Sequence, residues 1–171
     1  MAVYKLFPLQ DASLYSFYPY MNTGIDPIIE VGNLNVNINP VPQVFRYLIE
    51  FDQNEINSVV STKVGATKPF NSVLKSYIAT AQGIIFDTEL EIYPVSGSWN
   101  NGSGTYLDSP FTVNGVSWLA RTFSGSGAGA KNWIIDPAAL PTYVTASFSG
   151  SFVGGGNWFT GSSDTNNPNI V

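Results

Sequence analysis

The sequence predicts an all-β protein: a jelly-roll-like antiparallel β-sandwich with one short helix. Its 16 glycines and 11 prolines separate short apolar runs, as turns separate strands. Several of these runs alternate apolar and polar side chains, which is typical of half-buried strands. At 171 residues, we expect a single sandwich domain over 1–171, with loops and a tail rich in Gly, Ser and Asn from about residue 97 onward.

The clearest alternation lies in 33–39, where Leu34, Val36 and Ile38 share one face and asparagines occupy the other. The segment 45–51 places large apolar residues at every odd position, which predicts a core strand. Further strands are expected over 12–17, 73–81, 84–95, 116–123 and 143–152.

One short helix is predicted directly after the strand 45–51. Asp52 and Glu55 have the spacing of a capping box, and Gly65 follows where a helix of about two turns would end. The dipeptides Asn101-Gly102 and Asn114-Gly115 supply residues that adopt positive φ, so each predicts a tight hairpin turn.

Composition argues against several classes of function. The net charge is −5 and no basic cluster is present, which disfavours nucleic-acid binding. The chain has no histidine and no cysteine, so imidazole and thiolate catalysis and Cys/His zinc sites are excluded. No apolar stretch of 18 residues is present, and the N-terminal residues lack the long apolar run of a signal peptide. We therefore expect a non-enzymatic protein with no cofactor and no membrane association.

Two weaker patterns contain residue types that could carry out chemistry. Asp87, Glu89 and Glu91 alternate on a predicted strand, which would suit a hard cation or a glycoside hydrolase using Glu89 and Glu91, although an acidic row that keeps a strand soluble is the more common case. The segment 125–131 is glycine-rich and ends in lysine, but it lacks the residues that a phosphate-binding loop needs on either side of that lysine.

The aromatic content of 14% is the most informative feature of the composition. Aromatic side chains in polar loops stack on sugars or anchor protein interfaces, and they also close the ends of a core. The candidates for interaction or glycan stacking are Trp99, Tyr106, Trp118 and Trp158. The aromatic residues of the first strand region are expected to be core: Tyr15, Phe17, Tyr18 and Tyr20.

Three motifs carry a resemblance to a known family. They are Asn22–Gly24, Arg46 followed by Phe51 and Asp52, and Val95–Trp99. Together they resemble the DNRLRE-like jelly-roll domain found in virion structural proteins of tailed phages, particularly phages of marine cyanobacteria. The resemblance implies a virion protein of the head surface, neck or tail, made in the host cytoplasm and bound to other virion proteins and to copies of itself. An adhesion module for host-surface glycans is the alternative that it leaves open.

The C-terminal sequence departs from this family pattern. The family closes with a D-V-T-x-x-V-x-x-W strand and a further glycine-rich strand, whereas this chain ends in the polar stretch 163–171. A sheet that lacks a strand exposes unpaired backbone groups that a neighbouring chain can pair with. The expectation is that the sheet is completed only in an assembly, unless the sequence is a truncated product.

Overall fold

The computed structural model describes residues 3–34, 43–65, 68–81, 90, 92–95, 97–123, 131–133, 144–146 and 155–159. The strands are β1 (Pro8–Tyr15), β2 (Gly32–Leu34), β3 (Gln43–Phe51), β4 (Ala120–Thr122), β5 (Lys131–Asn132), β6 (Val144–Ala146) and β7 (Asn157–Phe159). Over these residues, strands in antiparallel sheets prevail and one short helix, α1 (Gln53–Val59), is present. The predicted all-β class with one short helix is confirmed.

The chain divides into two compact units. The first unit comprises Met1–Leu9 and Ile49–Glu91, and the second comprises Gln10–Leu48 and Ile92–Val171. The prediction of a single domain over 1–171 stays a prediction.

The largest sheet has three strands in the order β1-β3-β2. β2 pairs antiparallel with β3, with Gly32 opposite Phe45 and Leu34 opposite Gln43. β1 begins with exposed residues and ends in a fully packed stretch, in which Ala12 and Leu14 have no exposed surface. The other two sheets are the two-stranded pairs β4-β5 and β6-β7.

The core belongs to the second unit. The buried residues of its core cluster are Ala12, Leu14, Leu48, Trp99, Val116, Trp118 and Trp133, with Val44, Val95 and Leu119 packed against them. Bulky aromatic side chains fill much of this volume, so a few long-range contacts determine its packing.

β3 is covered on both faces within the second unit. Val44 and Leu48 join the core cluster, and Arg46 on the same face lies with its guanidinium carbon 5.2 Å from the centre of the Trp118 ring. Phe45, on the opposite face, packs against Tyr15 with ring centres 5.4 Å apart. The most buried residue of β3 is therefore Leu48, although the sequence places more of the strand's apolar residues at odd positions.

The helix of the first unit begins at the predicted N-cap residue, Asp52, whereas the side-chain contact of Glu55 is with the Tyr4 hydroxyl and not with the cap. The Asp52 side chain accepts a hydrogen bond from the backbone N–H of Asn54 at 2.8 Å. α1 continues into one π-helical stretch, Val60–Val64, and Gly65 ends it with φ of 86°. The N–H of Gly65 donates to the carbonyl of Val60, so the predicted stop position is correct.

The remaining strand predictions have different outcomes. Residues 73–81 form no strand and are exposed throughout, so that prediction is wrong. Within 116–123, only β4 is a strand. The Ser117 hydroxyl accepts a hydrogen bond from the backbone N–H of Ala120, and this tight turn comes directly before the strand. The predicted strand residues 35–39, 84–89, 143 and 147–152 lie outside the described part of the chain, as do Asp87, Glu89 and Glu91.

Candidate functional site

A buried asparagine organises the polar loops of the second unit. Asn22 has no exposed surface, and its amide nitrogen donates to the carbonyls of Asn101 and Val116 at 2.6 and 2.7 Å. Its amide oxygen accepts from the backbone N–H groups of Gly104 and Gly24 at 2.7 and 3.3 Å. All four hydrogen-bonding positions of one side chain are used, which ties the N-terminal loop to the loop over 97–116.

Glycines allow these loops to approach each other at backbone distance. A Cβ on Gly24 would lie 1.7 Å from the carbonyl oxygen of Asn101, and one on Gly115 would lie 2.4 Å from the Cα of Gly102. Gly102 and Gly115 also have φ of 76° and 72°. The positive φ expected at the two Asn-Gly dipeptides is confirmed, but neither dipeptide forms the predicted tight hairpin turn, since the N–H of Gly115 donates to Phe123 and that of Val116 to Asn100. The two glycines instead pack against each other beside Asn22.

An aromatic cluster lies on this scaffold. Its rings are Tyr15, Phe17, Tyr18, Phe45, Tyr106 and Phe111, connected by ring-centre distances of 4.4–6.3 Å. Tyr106 packs 5.3 Å from Tyr15 and 6.3 Å from Tyr18, yet it is 42% exposed. Phe111 is 41% exposed and packs 4.8 Å from Tyr18. We call Tyr18, Tyr106 and Phe111 the aromatic patch.

Carboxylates adjoin the aromatic patch. Both carboxylate oxygens of Asp26 accept from the backbone N–H of Tyr106 at 3.1 Å. Burial, together with the negative charges of Glu30 and Asp108, raises the pKa of Asp26, although the Tyr106 N–H opposes the shift. The Tyr15 hydroxyl donates to Glu30 at 2.6 Å, and burial followed by this hydrogen bond raises the pKa of Tyr15.

Asp108 stabilises the turn that presents Tyr106. It accepts from the backbone N–H and the hydroxyl of Thr105 at 3.0 and 2.8 Å, and it also accepts a short hydrogen bond from the hydroxyl of Thr112. The Thr112 bond, followed by those from Thr105, lowers the pKa of Asp108. An ionised Asp108 therefore holds both ends of the turn, and a patch built this way is preorganised.

The four interaction candidates predicted from the sequence lie in different environments. Trp99 and Trp118 are 8% and 2% exposed, so they are part of the core and offer no ring face to a saccharide. This burial corrects the stacking role that the sequence suggested for those two side chains. Tyr106 is exposed and belongs to the aromatic patch. Trp158 lies in β7, and its side chain falls outside the described residues.

The burial of Trp118 has a specific cause. Arg46 lies over its ring, and a Cβ on Gly155 would be 2.7 Å from the ring atom Cη2. The guanidinium of Arg46 also donates to the carbonyl of Gly155 at 3.1 Å, and burial lowers the pKa of Arg46. The indole N–H of Trp133 donates to the carbonyl of Ser117 beside it. The tryptophan ring is thus enclosed by residues distant in sequence.

Sequence reasoning missed two rings of the aromatic patch and one carboxylate beside it. Tyr18 was expected in the core, and Phe111 and Asp26 were not selected. The proline-bounded segment P-F-T-V-N-G around Phe111 and the aspartates at 26 and 108 were visible signals of loops. Long-range hydrogen bonds such as those of Asn22 and Asp26 bring those loops together, however, and no local pattern encodes them.

The first unit has a different surface. None of its residues that the structure describes is buried, and large apolar side chains are exposed throughout it. They are Val3, Tyr4, Phe7, Leu9, Phe70, Val73, Leu74, Tyr77, Ile78 and Leu90. This is far more apolar surface than scattered single residues on a monomer normally present.

Comparison of the chain with family models, with curated proteins and with solved structures gave no significant match. Within the described ranges, no group of three acidic side chains is placed to hold a metal ion. In the same part of the chain, no helix has the length and apolar character needed to span a bilayer.

Proposed function

We propose that this protein is a non-enzymatic structural component of a tailed-phage particle, located at the head surface, neck or tail, and that it acts by assembling with other virion proteins and with copies of itself. The single observation that supports assembly is the apolar surface of the first unit. The described residues of that unit include no buried side chain, while Phe7, Val73, Tyr77 and Ile78 are each at least 75% exposed.

Apolar exposure of this extent is the usual property of a surface that another macromolecule covers. Water disfavours it by about 25 cal/mol for each Å², and contact with a partner recovers that free energy. Symmetric repetition in a particle also raises the effective concentration of each contact, so that modest pairwise affinity suffices. The phage setting rests on the resemblance of Asn22–Gly24, Arg46 with Asp52, and Val95–Trp99 to the virion domain described above.

The finer architecture belongs to the same proposal. Antiparallel strands and a core filled from β1, β3 and the loop over 97–118 support a jelly-roll-like sandwich. In this arrangement the hydrogen bonds of Asn22 would close one end of the second unit, while the strands supply apolar side chains to the core.

The test is to locate the chain in purified particles. We expect mass spectrometry and antibody labelling to find it in particles purified on a density gradient, and cryo-microscopy to show it in a symmetric position. Presence in the infected-cell lysate together with absence from purified particles would overturn the proposal.

A second candidate function is glycan binding by the aromatic patch. Tyr106 and Phe111 expose ring surface, and the Asp26 and Asp108 carboxylates lie beside it as hydrogen-bond acceptors. Sugar rings stack on aromatic faces while their hydroxyls donate to such carboxylates, so the pairing suits a saccharide.

A glycan array tests this second candidate. We expect binding that Tyr106→Ala reduces at least tenfold and that Tyr20→Ala leaves unchanged, since Tyr20 is 62% exposed but lies outside the cluster. Unchanged thermal stability of both variants ensures that the comparison reports on the patch. Equal binding by the two variants would refute the assignment.

A further inference from the structure

The segment 68–81 of the first unit combines exposure with a strict pattern. Every residue in it is exposed, and the structure gives it neither helix nor strand. Its large side chains are Phe70, Val73, Leu74, Tyr77 and Ile78, whose exposed fractions range from 44% to 89%. These residues follow each other at intervals of three, one, three and one.

That spacing belongs to one face of an α-helix. At 100° per residue, the five apolar side chains fall within a sector of about 140°, while Ser72 and Lys75 lie on the opposite side. Pro69 stands where a helix tolerates proline, at its first turn, and no glycine interrupts the segment. The strand predicted over 73–81 failed because the apolar period there is near 3.6 and not 2.

A helix this short does not persist in water by itself. Thirteen residues are at the lower limit for an isolated helix, since nucleation costs more than a few hydrogen bonds return. The segment therefore needs an apolar surface on which to fold, as segments that fold on binding do.

The charge of the segment indicates the surface on which it folds. The segment 68–81 carries Lys68 and Lys75 and no acidic residue, so its charge is +2 in a chain of net charge −5. The rest of the chain therefore carries −7. A second copy is a complementary partner for the polar face of the helix, and its first unit presents exposed Val3, Phe7 and Leu9 for the apolar face.

We propose that residues 69–81 of one copy fold into an amphipathic helix on the first unit of a second copy, in a reciprocal twofold dimer. This inference rests on the proposed assembly function and names one of its contacts. The exposed parts of the five apolar side chains amount to roughly 600 Å² in each copy, so two reciprocal contacts reach the roughly 1,200 Å² of the smallest standard interfaces.

A matched pair of variants tests the contact. Leu74→Asp places a charge on the apolar face, and Ser72→Asp places the same charge on the polar face. By sedimentation equilibrium we expect a dimer for the unmodified chain and for Ser72→Asp. For Leu74→Asp we expect a dimer dissociation constant at least tenfold higher.

Proline substitution separates helix formation from mere contact. Ser76→Pro removes a helical hydrogen bond and clashes with the preceding turn, and Ser76→Ala is its control. We expect Ser76→Pro to raise the dimer dissociation constant at least a hundredfold and to abolish the gain in ellipticity at 222 nm that accompanies dimerisation. Ser76→Ala should retain both the dimer and the ellipticity gain.

Several outcomes would overturn the inference. One is a chain that stays monomeric at 100 µM, and another is equal dimerisation of Leu74→Asp and Ser72→Asp. A third is helix formation on anionic phospholipid vesicles by a chain that remains monomeric. Each of these leaves the proposed function standing if the protein is found in purified particles, and the particle experiment alone decides that question.

Discussion

Replacing Asn22 by aspartate should destabilise the second unit severely, although the two side chains have almost the same shape. The amide nitrogen that donates to the carbonyls of Asn101 and Val116 would become an oxygen facing two oxygens at 2.6 and 2.7 Å. Each buried carbonyl that loses its partner costs about 1–3 kcal/mol, and the buried carboxylate adds its own desolvation. We therefore expect a loss of at least about 3 kcal/mol at pH 7.

Urea unfolding followed by tryptophan fluorescence measures this loss, because Trp99, Trp118 and Trp133 are buried in the same unit. With a denaturant slope of about 2 kcal/mol/M, the midpoint should fall by about 1.5 M. The control is Asn100→Asp, since the exposed side chain of Asn100 accepts a hydrogen bond from the N–H of Gly102, which a carboxylate also does. Equal midpoints for the two variants would refute the reasoning.

The same aspartate variant should depend on pH with a defined sign. Burial among carbonyl oxygens raises the pKa of an aspartate at position 22 above its unfolded value of about 3.9. A raised carboxyl pKa disfavours folding as pH rises through it, so the deficit relative to the unmodified chain is greatest at neutral pH. It should shrink as pH falls from the folded-state pKa toward about 4. A deficit independent of pH would show that the lost donors alone, and not the buried charge, cause the effect.

Two further substitutions probe the loops around the patch. Gly115→Ala should cost at least about 2 kcal/mol more than Gly156→Ala, because both positions have positive φ but only the Cβ at 115 overlaps backbone, and urea midpoints would measure the difference. Thr112→Val should raise the pKa of Asp108 toward its ordinary value, since the Thr112 hydroxyl bond is the largest cause of the lowered pKa; carbon-13 titration would measure the rise, and Thr62→Val should leave it unchanged. Since the pKa of Asp108 is lowered on folding, its stabilising contribution is present above the unfolded pKa and lost as pH falls through the folded value.

Local chemistry explains which parts of the fold the sequence predicts. β3 and the cap at Asp52 follow from alternation and from one side-chain acceptor, and both need only neighbouring residues. Residues 73–81 fail as a strand because their apolar spacing favours a helix and because none of the residues that the structure describes buries them. The result shows that β-branched composition without alternation is a weak indicator of a strand.

The candidate site depends on contacts that no sequence window contains. Trp118 is enclosed by Arg46 and Gly155, which lie 72 residues before it and 37 residues after it in the sequence. The residues next to Trp118 in the sequence therefore do not indicate whether its ring is buried or exposed. Tyr106 was selected for its polar loop, and the structure keeps it exposed because Asp108 fixes the turn. Composition thus located the aromatic loops, and long-range packing decided which rings face water.

The two proposed roles use different units, and this separation makes them distinguishable. Assembly rests on Leu74 and its neighbours in the first unit, whereas glycan binding rests on Tyr106 in the second. A patch with two partly exposed rings binds a saccharide weakly at each site, so strong binding to a glycan surface requires the avidity of many copies held together. Leu74→Asp should therefore weaken binding to a dense glycan surface while leaving the affinity for a single soluble saccharide unchanged. Tyr106→Ala should weaken both, and an equal loss of soluble-saccharide affinity in both variants would show that the two functions are not separate.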